Sequence, residues 1–103
     1  MKLKNHDELQ ASFRSWLQEN SEMLIPLSAK LESGALGIDD HEQFIKIIHE
    51  LSGTAGTFGY QDISEIAGKL DAYIADGGLD TKMLMGLTCK VQTQIQKYLS
   101  QPV

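Results

Sequence analysis

The sequence contains a single cysteine, two prolines and no long apolar run, and each scarcity excludes something. Cys89 has no partner for an internal disulfide, and no basic-plus-apolar export signal opens the chain, so a reducing, cytoplasmic setting is expected. Charged or polar residues interrupt every stretch before the roughly 20 apolar residues that a membrane helix needs, so no membrane association is expected. Basic residues are also few. Nine Lys and Arg stand against 14 Asp and Glu, giving a formal charge of -5 without a basic cluster. That balance disfavours nucleic acid and anionic membrane and leaves a protein as the expected partner. The 103 residues fit one domain, 1–103, large enough to bury a core without metal or disulfide.

What is present is helical periodicity, almost from end to end, with nothing that reads as a strand. A first helix from near Asn5 or Asp7 carries Leu9, Phe13, Trp16 and Leu17 at steps of three and four. A second carries Met23, Leu24, Leu27 and Leu31 after Asn20-Ser21, with Pro26 either in its first turn or at a kink. Ser33-Gly34 and Gly37 mark a stop and a linker. A third helix is expected from Asp40, capped through Gln43, to about Phe58 before Gly59. A fourth runs from Asp62, capped through Glu65, and buries Ile63, Ile66, Ala67, Leu70 and Ile74 before Gly77-Gly78. Asp80 opens the last, whose stripe is Leu84, Leu87, Val91, Ile95 and Leu99. The expected fold is all-α: an antiparallel four-helix bundle with a short additional N-terminal helix.

The third helix has an unusual face. At about 100° per residue, Phe44, Ile47, Ile48, Leu51, Ala55 and Phe58 fall within about 50° of one direction, while His49 lies about 140° away and should face solvent. Ser52, Gly53 and Gly56 project to the histidine's side, and Ile45 sits one turn before it. Interior glycine costs a helix roughly 1 kcal/mol relative to alanine, so two of them beside an exposed imidazole suggest room for another protein to approach. Ile45, if exposed, would add apolar contact to that docking surface. Helix packing by the glycines beside an ordinary surface histidine is the simpler alternative.

The stretch His49-Glu50-Leu51-Ser52-Gly53-Thr54-Ala55-Gly56-Thr57-Phe58-Gly59 resembles the signature of histidine-containing phosphotransfer (HPt) domains, His-x-Leu-Lys-Gly-x-Ala-x-x-x-Gly, at all but one specified position. Ile66-Ala67-Gly68-Lys69-Leu70-Asp71 looks like the family's following Ala-x-x-Leu-Glu helix, and the likeness reaches upstream to the Trp16 to Leu31 region. The resemblance implies that His49 is a phosphoacceptor relaying phosphoryl groups between aspartates of response-regulator receiver domains, fed by a hybrid sensor histidine kinase. It implies a carrier without autokinase activity, binding no cofactor itself, with the divalent metal (Mg) on the partner receiver domain. Ser52 stands where the family has lysine. Serine offers the added phosphoryl group a hydroxyl but no charge, and Lys46 or Lys69 are the candidates to compensate. The competing reading is an HPt-like bundle that binds partners without accepting phosphate, for which Ser52 is the best support.

Other chemistry-bearing residues have plainer expectations. Glu50 diverges by about 100° from His49 and reads as a solvated helix residue. His6, His41 and Cys89 lack zinc spacing, so no metal site is expected. Cys89 reads as core or spectator, Asp39-Asp40 as helix-capping charge, and Trp16 as core. No ATP-binding segment or acid-base cluster supports an autonomous enzyme.

Overall fold

Buried positions at Phe13, Leu17, Asn20, Leu24, Leu27 and Leu31 follow one another at alternating steps of four and three, so a single apolar stripe runs through the N-terminal third without interruption. The computed structural model describes residues 6–101, with side chains from residue 8, and here it has one helix, α1 (His6–Ser33), in place of the two expected. The additional short N-terminal helix is therefore corrected to the first half of α1; Asn5, its other expected start, lies outside the described residues. Asn20 and Ser21 do not break the chain because both are buried and satisfied. Asn20 donates to the Trp16 carbonyl at 2.8 Å, and Ser21 bonds Gln92 and Gln96 of the last helix at 2.7 and 3.0 Å.

Pro26 lies inside α1 with an exposed side chain. Proline removes a helical hydrogen bond and crowds the preceding turn, at a cost of about 3 kcal/mol in a helix interior. Pro26→Ala is expected to stabilise the protein by about 1–3 kcal/mol, read as a higher urea midpoint at unchanged slope. An unshifted midpoint would show that the helix already accommodates the ring without strain.

The remaining elements are α2 (Ile38–Thr57), α3 (Gln61–Ala75) and α4 (Thr81–Leu99), and no strand occurs among the described residues. The fold is a helical bundle. The start of α2 corrects the expected cap: Gly37 is the N-cap, and Asp40 sits three residues inside, accepting from the Gly37 N–H at 3.1 Å. That bond, together with Lys30 at 3.2 Å, holds the Asp40 carboxyl below its ordinary value. Its contribution is present above the ordinary carboxylate range and lost as pH falls through the lowered folded value. α3 likewise begins one residue before Asp62, after Tyr60, without a side-chain cap. Asp80 does cap α4, accepting from the Met83 N–H at 3.2 Å.

The core draws on all four helices, with Leu17, Leu24, Phe44, Ile48, Leu51, Ile63, Leu70, Val91 and Ile95 at its centre. Leu9 and Met23, expected on the buried face, are 42% and 40% exposed. At one end Phe13 stacks on Phe58 and Tyr60 at 4.6 Å and on Trp16 at 5.4 Å. Phe58 is 39% exposed, since it lies beyond the last turn of α2 and covers Phe13 from outside. Arg14 ties α1 to the end of α4, its guanidinium donating to the Tyr98 and Leu99 carbonyls at 2.8 and 2.7 Å. Between α2 and α3 the chain turns through Gly59, whose φ of +86° only glycine adopts without strain.

Candidate functional site

Five residues of α2, namely Phe44, Ile47, Ile48, Leu51 and Ala55, are buried, which leaves the opposite side of that helix to solvent. His49 is on that side, its side chain 76% exposed. The Gly59 turn joins α2 to α3, and Asp71 of α3, 22 residues on, meets the ring: His49 Nδ1 lies 3.0 Å from Asp71 Oδ2. The Asp71 side chain is 30% exposed, so the pair sits at the surface with the carboxylate partly shielded.

While this contact is made, its chemistry selects one tautomer. An ionised carboxylate only accepts, so Nδ1 must carry the hydrogen, and in the neutral ring the lone pair is then on Nε2. The structure thus joins an exposed imidazole nitrogen to a carboxylate that holds the other nitrogen. That carboxylate is also placed to stabilise positive charge on the ring.

The other site residues divide. Ser52 is half-buried between α2 and α3, while Gly53 is exposed, with open space where a side chain would project. Gly56 faces α3 instead: a Cβ there would stand 2.9 Å from Ser64 Oγ. Of the two glycines, Gly53 leaves room beside the histidine and Gly56 lets two helices pack. Ile45 is half-buried, so it offers an edge rather than a fully exposed apolar surface. Ile38, about 20° from His49 around the helix axis, is 81% exposed. Lys46 is exposed one turn before His49. Lys69 is exposed too, but lies about 160° around α3 from Asp71 and so on the side away from the ring.

Glu50 and His41 are exposed, and the His6 side chain lies outside the described residues. Cys89 is exposed rather than core, lining an open groove of about 460 Å³ between α1 and α4 with Ile25, Ala29 and Met85. Among the described residues no group of three His, Cys, Asp or Glu side chains converges as a metal site would require, and no helix is long and apolar enough to cross a membrane.

Sequence reasoning missed Asp71. Its only signal was position: it ends the stretch Ile66 to Asp71, and it falls on the side of α3 that carries Ser64 and Gly68. Compared with protein-family models, with curated proteins and with solved structures, the chain finds no match in any of the three.

Proposed function

We propose that this protein is a phosphoryl carrier in which His49 Nε2 takes a phosphoryl group from an aspartyl phosphate of a receiver domain and passes it to the aspartate of another. The observation that carries the reading is the exposed His49 ring held at Nδ1 by Asp71. The Nε2 lone pair attacks phosphorus, the N–P bond forms as the acyl phosphate P–O bond breaks, and the receiver's aspartate leaves as carboxylate. No proton has to depart, because Nδ1 keeps its hydrogen. The ring therefore gains positive charge as the bond forms, and the Asp71 carboxylate at 3.0 Å opposes that charge. Transfer onward reverses these steps. The receiver domain contributes its aspartate and a divalent metal (Mg), and a hybrid sensor histidine kinase stands upstream. This chain carries the group without autokinase activity, in a cytoplasmic setting.

The reading includes an antiparallel arrangement of the four helices, for which the short connections of 34–37, 58–60 and 76–80 speak. It also assigns the docking surface. Gly53 leaves the ring uncrowded on one side, and Ile38 and the edge of Ile45 supply apolar contact on the other. Lys46, one turn from His49, is the cation on the histidine's own helix for the transferred charge.

The alternative reading, an interaction module that accepts no phosphate, draws on Ser52, which places a half-buried hydroxyl where a lysine would bring charge. The two separate on incubation with phosphorylated receiver domains, following acid-labile, alkali-stable label. Label on the chain supports the carrier; binding without label from any receiver supports the module.

A second expectation concerns Asp71. A hydrogen bond to a charged group is worth about 1.5–3 kcal/mol, and solvent exposure of this pair places it at the lower end. Asp71→Ala is therefore expected to slow transfer about tenfold with little change in thermal stability. An unchanged rate would remove Asp71 from the mechanism.

A further inference from the structure

Asp71 can reach His49 only while α2 and α3 stay close; both helices contribute to the buried core, and a set of polar and glycine contacts between them lies within two turns of the pair. Ser64 Oγ donates across the helix boundary to the Ser52 carbonyl at 2.6 Å. Gly56 faces that same hydroxyl, and a Cβ at this position would stand 2.9 Å from it, closer than real Cβ atoms come. Gly68, three residues before Asp71, faces Ser52: a Cβ there would stand 3.3 Å from Ser52 Oγ. Gly53 meets nothing within 4 Å. Two of these three glycines therefore occupy positions where a side chain would crowd a serine hydroxyl in the α2–α3 seam, and Gly68, inside α3, carries the usual helix cost of about 1 kcal/mol.

We propose that Gly56 and Gly68 are positioning residues which, with the Ser64 hydroxyl as clamp, set the α2–α3 spacing at which Asp71 holds His49 in its Nδ1–H form. Neither glycine touches the reacting nitrogen. They act through the length of one hydrogen bond, the 3.0 Å contact between His49 and Asp71. The functional meaning of the proposal rests on the carrier reading, but its geometry concerns the isolated chain. It also accounts for Ser52: a short side chain there lets Gly68 approach, and a lysine would have to leave that seam to be accommodated.

The test reads the tautomer directly, by long-range ¹H–¹⁵N imidazole spectra of the full chain at a pH where His49 is neutral. Native protein is expected to show Nδ1–H, and Asp71→Ala a mixture. Gly68→Val, which forces bulk into the seam, is expected to lose at least half of the Nδ1–H population, whereas Gly53→Ala, pointing into open space, keeps it. If Gly68→Val fails to unfold cooperatively, the decision passes to Gly56→Ala, whose Cβ would stand 2.9 Å from the Ser64 hydroxyl and so displaces the clamp. A native tautomer in whichever folded variant decides overturns the proposal, as does an equal loss in Gly53→Ala. Transfer from phosphorylated receiver domains is measured on the native chain in parallel. Failure there sinks the carrier reading while the tautomer result still decides the clamp, and normal transfer with an unresponsive tautomer sinks the clamp alone.

Discussion

Replacing His49 by Gln is expected to reduce phosphoryl acceptance to background while leaving the fold untouched. Glutamine keeps a polar side chain of similar reach but offers no nitrogen lone pair that can form a stable N–P bond. The side chain it replaces is 76% exposed, and among the described residues its polar contact is the Asp71 bond at the surface. Substitutions at such positions usually change stability by no more than about 0.5 kcal/mol. The measurement is label retained on native and variant chains after mixing with a phosphorylated receiver domain, alongside their urea midpoints. Label persisting on the variant would move the acceptor elsewhere, with the exposed His41 in the first turn of α2 as the next histidine to replace.

Phe44→Ala should do the reverse, removing stability while sparing the chemistry. Phe44 is 1% exposed and sits on the opposite side of α2 from His49. Truncating a buried phenylalanine costs about 3–5 kcal/mol through lost burial and the cavity left behind. In a domain of this size that lowers the melting temperature by roughly 15–30 °C, and against a typical total of about 5–15 kcal/mol it leaves little margin. Transfer measured well below the lowered melting temperature is expected to persist. A shift under about 1 kcal/mol would mean that the neighbouring side chains collapse into the space, and that the centre of the core is softer than its burial indicates.

The two substitutions also mark what sequence could and could not deliver. The buried face of α2 was legible because it depends on one helix: the period that places Phe44, Ile47, Ile48, Leu51 and Ala55 inside places His49 outside. The same local logic located the turn at Gly59 and the cap at Asp80. It failed where polar residues serve the interior. Asn20-Ser21 reads as a break because both residues favour caps and turns, yet here their bonds to Trp16, Gln92 and Gln96 make them part of the buried face of α1. Capping-box spacing at Asp40 and Asp62 was a weaker guide than the actual chain entry at Gly37 and Tyr60. Asp71 was illegible for another reason. Which residue of α3 meets His49 depends on the axial offset of two helices, which is a property of how they pack against each other and not of either helix's own pattern.

The Gly59 turn has a consequence for the order in which the molecule assembles. His49 and Asp71 are separated by 22 residues, whereas the Arg14 grip on the Leu99 carbonyl closes 85. Loop-closure entropy grows by about 0.6 kcal/mol per doubling of length, so the long closure starts about 1 kcal/mol behind the short one. The α2–α3 hairpin can therefore form its pair from local encounters alone, before α1 and α4 are joined. Chains caught midway through folding would already present the histidine and its carboxylate together, on a hairpin whose apolar back has yet to be covered.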